Sequence, residues 1–153
     1  MQVKGFITAE ERLKEARGIK ILLLGPPGIG KTTQLSTLPA EETLFLECEA
    51  GDLSVINYPV DTIRLADWPT ARDTAVRIGG PNPSFPPTAC YSEAHYKAVG
   101  GPLPSADRYK NVFLDSLTNL ARICFRWCEN QPERSRHQAR KIFGTLTVCW
   151  HAN

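Results

Sequence analysis

The residues best suited to chemistry are residues 25–32, which fit the pattern G-x-x-x-x-G-K-[ST]. Glycines in such a loop let the backbone fold so closely that successive N–H groups face phosphate oxygens. Lys31 would reach the β- and γ-phosphates, and the Thr32 hydroxyl would ligate Mg²⁺. A helix predicted to start at Lys31 would add the positive end of its dipole. The predicted nucleotide-binding residues are Gly25, Pro26, Pro27, Gly28, Ile29, Gly30, Lys31, Thr32 and Thr33.

Carboxylates follow two other apolar segments. Asp115 is predicted to hold Mg²⁺, often through water because this ion keeps much of its hydration; the alternative is a helix N-cap. Ser116 beside it would orient a second water. Glu47 and Glu49 are predicted to share one strand face. Glu49 is a candidate general base for the water that attacks the γ-phosphate, whereas solvation at a strand end is the better interpretation of Glu47.

An alternation of strands and helices is predicted to position these residues. The predicted strands are 19–24, 43–48, 61–65 and 109–115, and the predicted helices are 8–18 with Thr8 and Glu11 as capping box, 31–39, 68–78 with Asp67 as cap, 92–99, and a helix from Ser116. The last helix places Leu117, Leu120, Ala121, Cys124 and Cys128 at core-facing spacing. This alternation indicates an α/β fold, a three-layer core around a mainly parallel sheet.

The length of 153 residues predicts a single domain, 1–153. Its predicted parts are a helix in 1–18, a core in 19–130 with a Pro/Gly-rich insertion at 79–104, and an atypical tail in 131–153. The net charge of +2 requires no polyanionic partner. Absence of a long apolar run predicts no membrane span. Five scattered cysteines fit reduced thiols and a cytoplasmic location.

Several other features favour structural roles. Cys124 and Cys128 share a helix face but have no second ligand pair, so buried thiols are expected. Trp68 and Trp127 are expected in the core or at its edge. The histidines His95, His137 and His151 are expected at the surface without partners, and the basic run 134–141 as a solvated face, although it could touch a phosphate backbone.

Three segments resemble the RecA-like P-loop ATPases, most closely the small phage and prophage nucleotide-binding proteins linked to recombination and single-strand annealing. They are 22–33, 44–51 and 112–118, within a similarity that covers about residues 19–130. The resemblance implies that Glu49 activates water and that Asp115 holds Mg²⁺. It also implies ATP as ligand, single-stranded DNA as a partner, and a homo-oligomer in which a neighbouring arginine completes the site.

The end of the chain departs from this pattern. Such proteins place a further strand, later in sequence, between the Asp115 strand and the loop strand, and residues 131–153 hardly have room for it. A truncated or frameshifted product is therefore expected, and the coding DNA tests this. Two alternatives stay open: a non-catalytic nucleotide-binding remnant, and a nucleoside or small-molecule kinase. The kinase would need arginines in a lid, and residues 81–104 contain none.

Overall fold

The computed structural model of the chain describes residues 8–14, 18–49 and 54–131. The chain divides into two compact units, Met1–Lys31 and Thr32–Asn153. The expectations for residues 132–153, including the basic run, His137 and His151, lie outside the described residues. The organisation into one domain stays a prediction.

The first unit begins with helix α1, Ala9–Lys14. Its predicted capping box is confirmed, because the Glu11 N–H donates to Thr8 Oγ1 over 3.2 Å and the Thr8 N–H donates to Glu11 Oε2 over 2.9 Å. These reciprocal bonds satisfy two N–H groups that the first turn leaves without partners. The bonds from Thr8 also lower the pKa of Glu11.

The predicted strand at residues 19–24 is wrong, since this segment has no strand pairing. Its side chains are largely open to solvent, with Ile19 89% and Leu24 84% exposed. An apolar run is compatible with a strand, but the strand forms only where a neighbour accepts and donates its backbone hydrogen bonds. The described part of the first unit contains no strand that could pair with it.

The second unit contains a three-stranded parallel sheet in the order β2-β1-β3. The strands are β1, Thr43–Glu47, β2, Asp61–Arg64, and β3, Asn111–Asp115. The register sets Glu47 opposite both Arg64 and Asp115. The carboxyl ends of all three strands therefore meet at one edge, and the predicted α/β class with a parallel sheet is confirmed.

Three helices of the second unit follow the predicted positions. They are α2, Trp68–Gly79, α3, Glu93–Ala98, and α4, Leu117–Glu129. Each helix is preceded by a capping residue whose side chain accepts a backbone N–H of the first turn. The capping residues are Asp67, Ser92 and Ser116, respectively. Such caps satisfy backbone donors that have no partner within the helix. Helix α3 is the short helix expected inside the insertion 79–104.

The core lies on both faces of β1. Leu44 and Leu46 pack with Trp68 of α2 and Cys124 of α4, while Phe45 packs on the other face in a cluster with Leu35 and Val55. Alternate residues of a strand point to opposite faces, so a strand covered on both faces is apolar at its centre, here Leu44 to Leu46. Three layers result, as expected.

The exposure of individual side chains tests two predictions about the core. Leu117 was expected to face the core, but its side chain is 49% exposed because it occupies the first turn of α4 at the end of the sheet. Trp68 is buried and Trp127 packs against the core, as predicted. Among the described helices, none combines the length and the apolar character that crossing a bilayer requires.

Candidate functional site

The glycine-rich loop forms the end of the first unit. Gly28 and Gly30 adopt φ values of 79° and 92°, a region that residues with a Cβ rarely enter. The Lys31 Nζ donates to the carbonyl oxygens of Gly25 and Pro26, each over 2.9 Å. An ammonium group has three donors, so one donor remains for a ligand. The loop thus holds its own lysine in a folded position.

The predicted helix after the loop is shorter and tighter than expected. Thr32–Thr37 forms a 3₁₀ helix of six residues that contains the buried Leu35, and Leu38 and Pro39 follow it. This helix is shorter than the predicted α-helix and has fewer aligned peptides to contribute to a dipole. The predicted α-helix after the loop is thus wrong in type and length, and a dipole contribution to phosphate binding stays a prediction. Thr33, the last predicted loop residue, is exposed.

The second unit joins the two predicted metal ligands directly. The Thr32 hydroxyl, at the start of the 3₁₀ turn, donates to Asp115 Oδ2, at the carboxyl end of β3. The Cys48 N–H donates to the Asp115 carbonyl over 2.7 Å and fixes the strand end against β1. The other carboxylate oxygen, Oδ1, has no hydrogen-bond partner among the described residues. The pair therefore presents a hard oxygen with free acceptor capacity.

The predicted general base lies beside this pair. Glu49 follows the last residue of β1 by two positions, is exposed, and accepts a hydrogen bond from Ser116 Oγ at 2.7 Å. Ser116 directly follows Asp115. We call Thr32, Glu49, Asp115 and Ser116 the sheet-end cluster. Sequence reasoning assigned Ser116 to a water and missed its bond to Glu49, which depends on contact between segments far apart in sequence.

Glu47 has a different environment from Glu49. Its side chain is buried, and Oε2 accepts the Arg64 Nε–H over 2.8 Å across the β1–β2 register. A buried carboxylate requires such a charged partner. The strand ends at Glu47, so the alternation that was expected to put Glu49 on the same face does not extend to it. No sequence pattern singled out Arg64, because only the register between β1 and β2 places it beside Glu47.

Cys48 lies among acidic side chains at the end of the sheet. Burial, followed by the charges of Asp115, Glu49 and Glu47, raises the pKa of the Cys48 thiol to about 11. Burial and nearby anions both disfavour the thiolate. The acidic side chains of Asp115 and Glu49, which lie together at the carboxyl end of the sheet, favour a nearby cation over further negative charge.

The residues of the sheet-end cluster fit Mg²⁺ by their donor chemistry. This ion prefers oxygen ligands and usually takes only one or two from protein, with water and phosphate oxygens completing the shell. Thr32 and Asp115 supply such oxygens. No group of three or more His, Cys, Asp or Glu side chains suited to a metal occurs in the described parts of the chain. The arrangement thus matches a shared protein–phosphate magnesium site rather than a closed structural one.

His95 contradicts the expectation of a surface residue without partners. Its side chain is 14% exposed; Nε2 lies 3.0 Å from Asp73 Oδ1 of α2, and Nδ1 accepts the Tyr91 N–H over 2.9 Å. Asp73 Oδ1 also accepts the Arg72 Nε–H over 2.8 Å. We call Arg72, Asp73, Tyr91 and His95 the insertion cluster. It attaches the insertion 79–104 to α2 and uses both nitrogens of the imidazole.

The cysteine pair of α4 belongs to the core. Cys124 is buried, and Cys128 packs against the same core, as predicted. Burial raises the pKa of the Cys124 thiol, and the neighbouring Cys128 raises it further.

A separate cleft of about 270 Å³ is lined by Ser36 and residues 54–58. None of the predicted site residues lines it.

Comparison with known proteins identifies one family. A family model described as an AAA domain matches residues 17–147 of the chain, which include the glycine-rich loop and the whole sheet-end cluster. No curated protein and no solved structure shows significant similarity to the chain.

Proposed function

Since the chain belongs to the AAA domain family, a family of nucleotide-binding ATPases, we propose that it binds ATP with Mg²⁺ and hydrolyses it to ADP and phosphate. The observation that carries this proposal is the hydrogen bond between Thr32 and Asp115. It joins the last residue of the G-x-x-x-x-G-K-[ST] pattern to the acidic end of a parallel strand, where ligands bind in open α/β sheets.

Each residue of the motif has a distinct task in this proposal. The N–H groups of residues 28–31 and the Lys31 ammonium bind the β- and γ-phosphate oxygens. Thr32 and Asp115 hold Mg²⁺. Bound there, the ion neutralises charge that develops on the phosphates. The free acceptor capacity of Asp115 and the nearby carboxylate of Glu49 both support a cation at this position.

Glu49 acts as the general base in the same proposal. One of its carboxylate oxygens accepts the Ser116 hydroxyl, and the other has no described partner. That free oxygen takes a proton from the water that attacks the γ-phosphorus as the bond to ADP breaks. Glu47 is unsuited to this task, because its carboxylate is buried and paired with Arg64.

The process served by hydrolysis follows from the resemblance to phage-type RecA-like proteins. We propose DNA recombination or single-strand annealing, with single-stranded DNA as an activating partner and a homo-oligomer as the working form. An arginine from a neighbouring copy would then complete the charge stabilisation around the γ-phosphate.

Phosphate release from Mg²⁺-ATP tests the reaction, with and without single-stranded DNA. Glu49→Gln retains the size of the side chain and removes the base, so turnover should fall about 10²- to 10⁴-fold. Glu129→Gln is the matched control, since Glu129 is an exposed glutamate at the far end of α4. Its turnover should equal that of the wild type.

The alternatives make different predictions in the same assay. Phosphate transfer to a nucleoside or another small acceptor, with no release to water, would indicate a kinase. Nucleotide binding without turnover would indicate a non-catalytic protein. Turnover that single-stranded DNA leaves unchanged would retain the ATPase and reject the recombination role.

A further inference from the structure

Ser116 uses one hydroxyl group for two hydrogen bonds. Its Oγ lies 2.7 Å from Glu49 Oε1 and 3.3 Å from the backbone nitrogen of Asn119. An ionised carboxylate only accepts, so the hydroxyl proton points to Glu49. The Asn119 N–H then donates to a lone pair on the same oxygen. The two partners therefore fix both the hydrogen bond that the hydroxyl donates and the one that it accepts.

Glu49 depends on this contact for its orientation. It lies beyond the end of β1, is exposed, and so receives no alignment from the sheet ladder. Its bond to Ser116 is the only hydrogen bond of its side chain within the described parts of the chain. Without this bond, the three rotatable bonds of an exposed glutamate would populate several rotamers. One short contact therefore selects the rotamer that Glu49 adopts.

We propose that Ser116 is a positioning residue for ATP hydrolysis, acting through Glu49. It holds Oε1 so that Oε2 faces the attacking water, while its bond to Asn119 anchors the hydroxyl to the first turn of α4. This role rests on the proposed ATPase function. A group placed about 1 Å from its productive position can lose about 10²-fold in rate, so loss of the Ser116 hydroxyl should lower kcat at least about tenfold.

The competing explanation is that Ser116 only caps α4. Glycine separates the two, because at an N-cap it costs only a few tenths of a kcal/mol relative to serine, whereas alanine costs about 1 kcal/mol. Ser116→Gly removes the donor to Glu49 and leaves the helix start nearly as stable. A capping role predicts a harmful Ser116→Ala and a nearly silent Ser116→Gly. A positioning role predicts a similar loss of kcat in both.

Steady-state kinetics of phosphate release would be measured for wild type, Ser116→Gly, Ser116→Ala and Ser116→Thr, together with ATP affinity. We expect kcat to fall about tenfold or more in the Gly and Ala variants, with KM and ATP affinity changed less than about twofold, since uniform binding is untouched. Ser116→Thr keeps the hydroxyl and should recover most of the rate.

Ser92→Gly provides a matched control at another N-cap. Its hydroxyl also accepts an N–H, that of His95, and donates to the Pro87 carbonyl, away from the sheet-end cluster. Its kcat should equal that of the wild type. A Ser116→Gly variant with wild-type kcat, or with a loss confined to KM, overturns the positioning role alone. A wild-type chain without turnover overturns the proposed ATPase function and this role with it.

Discussion

The sheet-end cluster and the insertion cluster differ in how far their polar side chains are engaged in hydrogen bonds. At the sheet end, Asp115 and Glu49 each accept one hydroxyl hydrogen bond and each keep one carboxylate oxygen without a described partner. In the insertion cluster, both bonds to Asp73 go to Oδ1 and its Oδ2 has no described partner either, so the contrast lies in His95, which uses both ring nitrogens. Ligand binding requires unused acceptors, whereas stable packing requires satisfied ones.

This difference distinguishes residues that are available to a ligand from residues that only stabilise the fold, whatever their residue type. By type alone, a half-buried histidine beside an aspartate is an attractive catalytic candidate. Its hydrogen bonds exclude that interpretation, because Nδ1 accepts the Tyr91 N–H and Nε2 faces Asp73. The ring is held as the Nε2–H tautomer, with no nitrogen left for a substrate. The insertion cluster therefore attaches a proline-rich segment to α2.

The largest effect should come from the aspartate of the sheet-end cluster. Asp115→Asn retains an acceptor for the Thr32 hydroxyl but removes the charge that would hold Mg²⁺. We expect turnover to fall at least about 10²-fold, comparable to loss of one electrostatic contact to a transition state. Urea unfolding should give a midpoint close to that of the wild type. A strongly destabilised variant would instead show that Asp115 mainly stabilises the fold.

A smaller effect, on stability alone, should follow from His95→Ala. The change leaves the Tyr91 N–H without its acceptor and removes a partner of Asp73, which costs about 1–3 kcal/mol of unfolding free energy. Hydrogen exchange at the Tyr91 amide should accelerate, and kcat for ATP should not change. A fall in kcat with unchanged exchange would contradict the contrast between the two clusters.

The smallest effect concerns a cap that belongs to neither cluster. The Thr70 backbone N–H donates to Asp67 and holds the pKa of this carboxyl below its ordinary value of 3.8. Because the folded-state pKa is the lower one, the stabilisation is complete above the ordinary value and disappears as the pH falls through the folded one. Asp67→Ala should cost about 0.5–1 kcal/mol near neutral pH.

Urea midpoints at about pH 6 and about pH 3 would check this dependence. The difference between wild type and Asp67→Ala should narrow at the lower pH, where protonation weakens the native cap as well. Asp67→Asn is a suitable control, since asparagine caps without ionising. A difference that is independent of pH would show that ionisation of Asp67 contributes nothing.

Much of the second unit was predictable from local sequence signals. The segments 43–48, 61–65 and 109–115 were predicted as its three strands, and the Asp67 cap predicted where α2 begins. For the strands these signals suffice because each strand also pairs with a neighbour in the sheet. Residues 19–24 show the limit: their apolar character is equally strong, yet they form no strand. Pairing is a property of two segments, and one segment cannot reveal it.

The candidate site was predictable in its residue types and less so in its contacts. The loop pattern and the acidic strand ends identified Lys31, Thr32, Glu49 and Asp115. Their hydrogen bonds were not predictable, because the bond from Ser116 to Glu49 joins positions 67 residues apart. The same limit explains the error about His95, whose partner Asp73 lies on a different helix.

Mg²⁺-ATP binding by thermal shift, comparing the wild-type chain with Lys31→Ala, tests the central claim most directly. A ligand that binds only the folded state stabilises it by about 2.7 kcal/mol at a hundred times its Kd. We predict a rise in melting temperature that depends on both ATP and Mg²⁺ in the wild type and disappears in Lys31→Ala. No shift at millimolar Mg²⁺-ATP, or an equal shift in both proteins, would contradict the assignment of the nucleotide site.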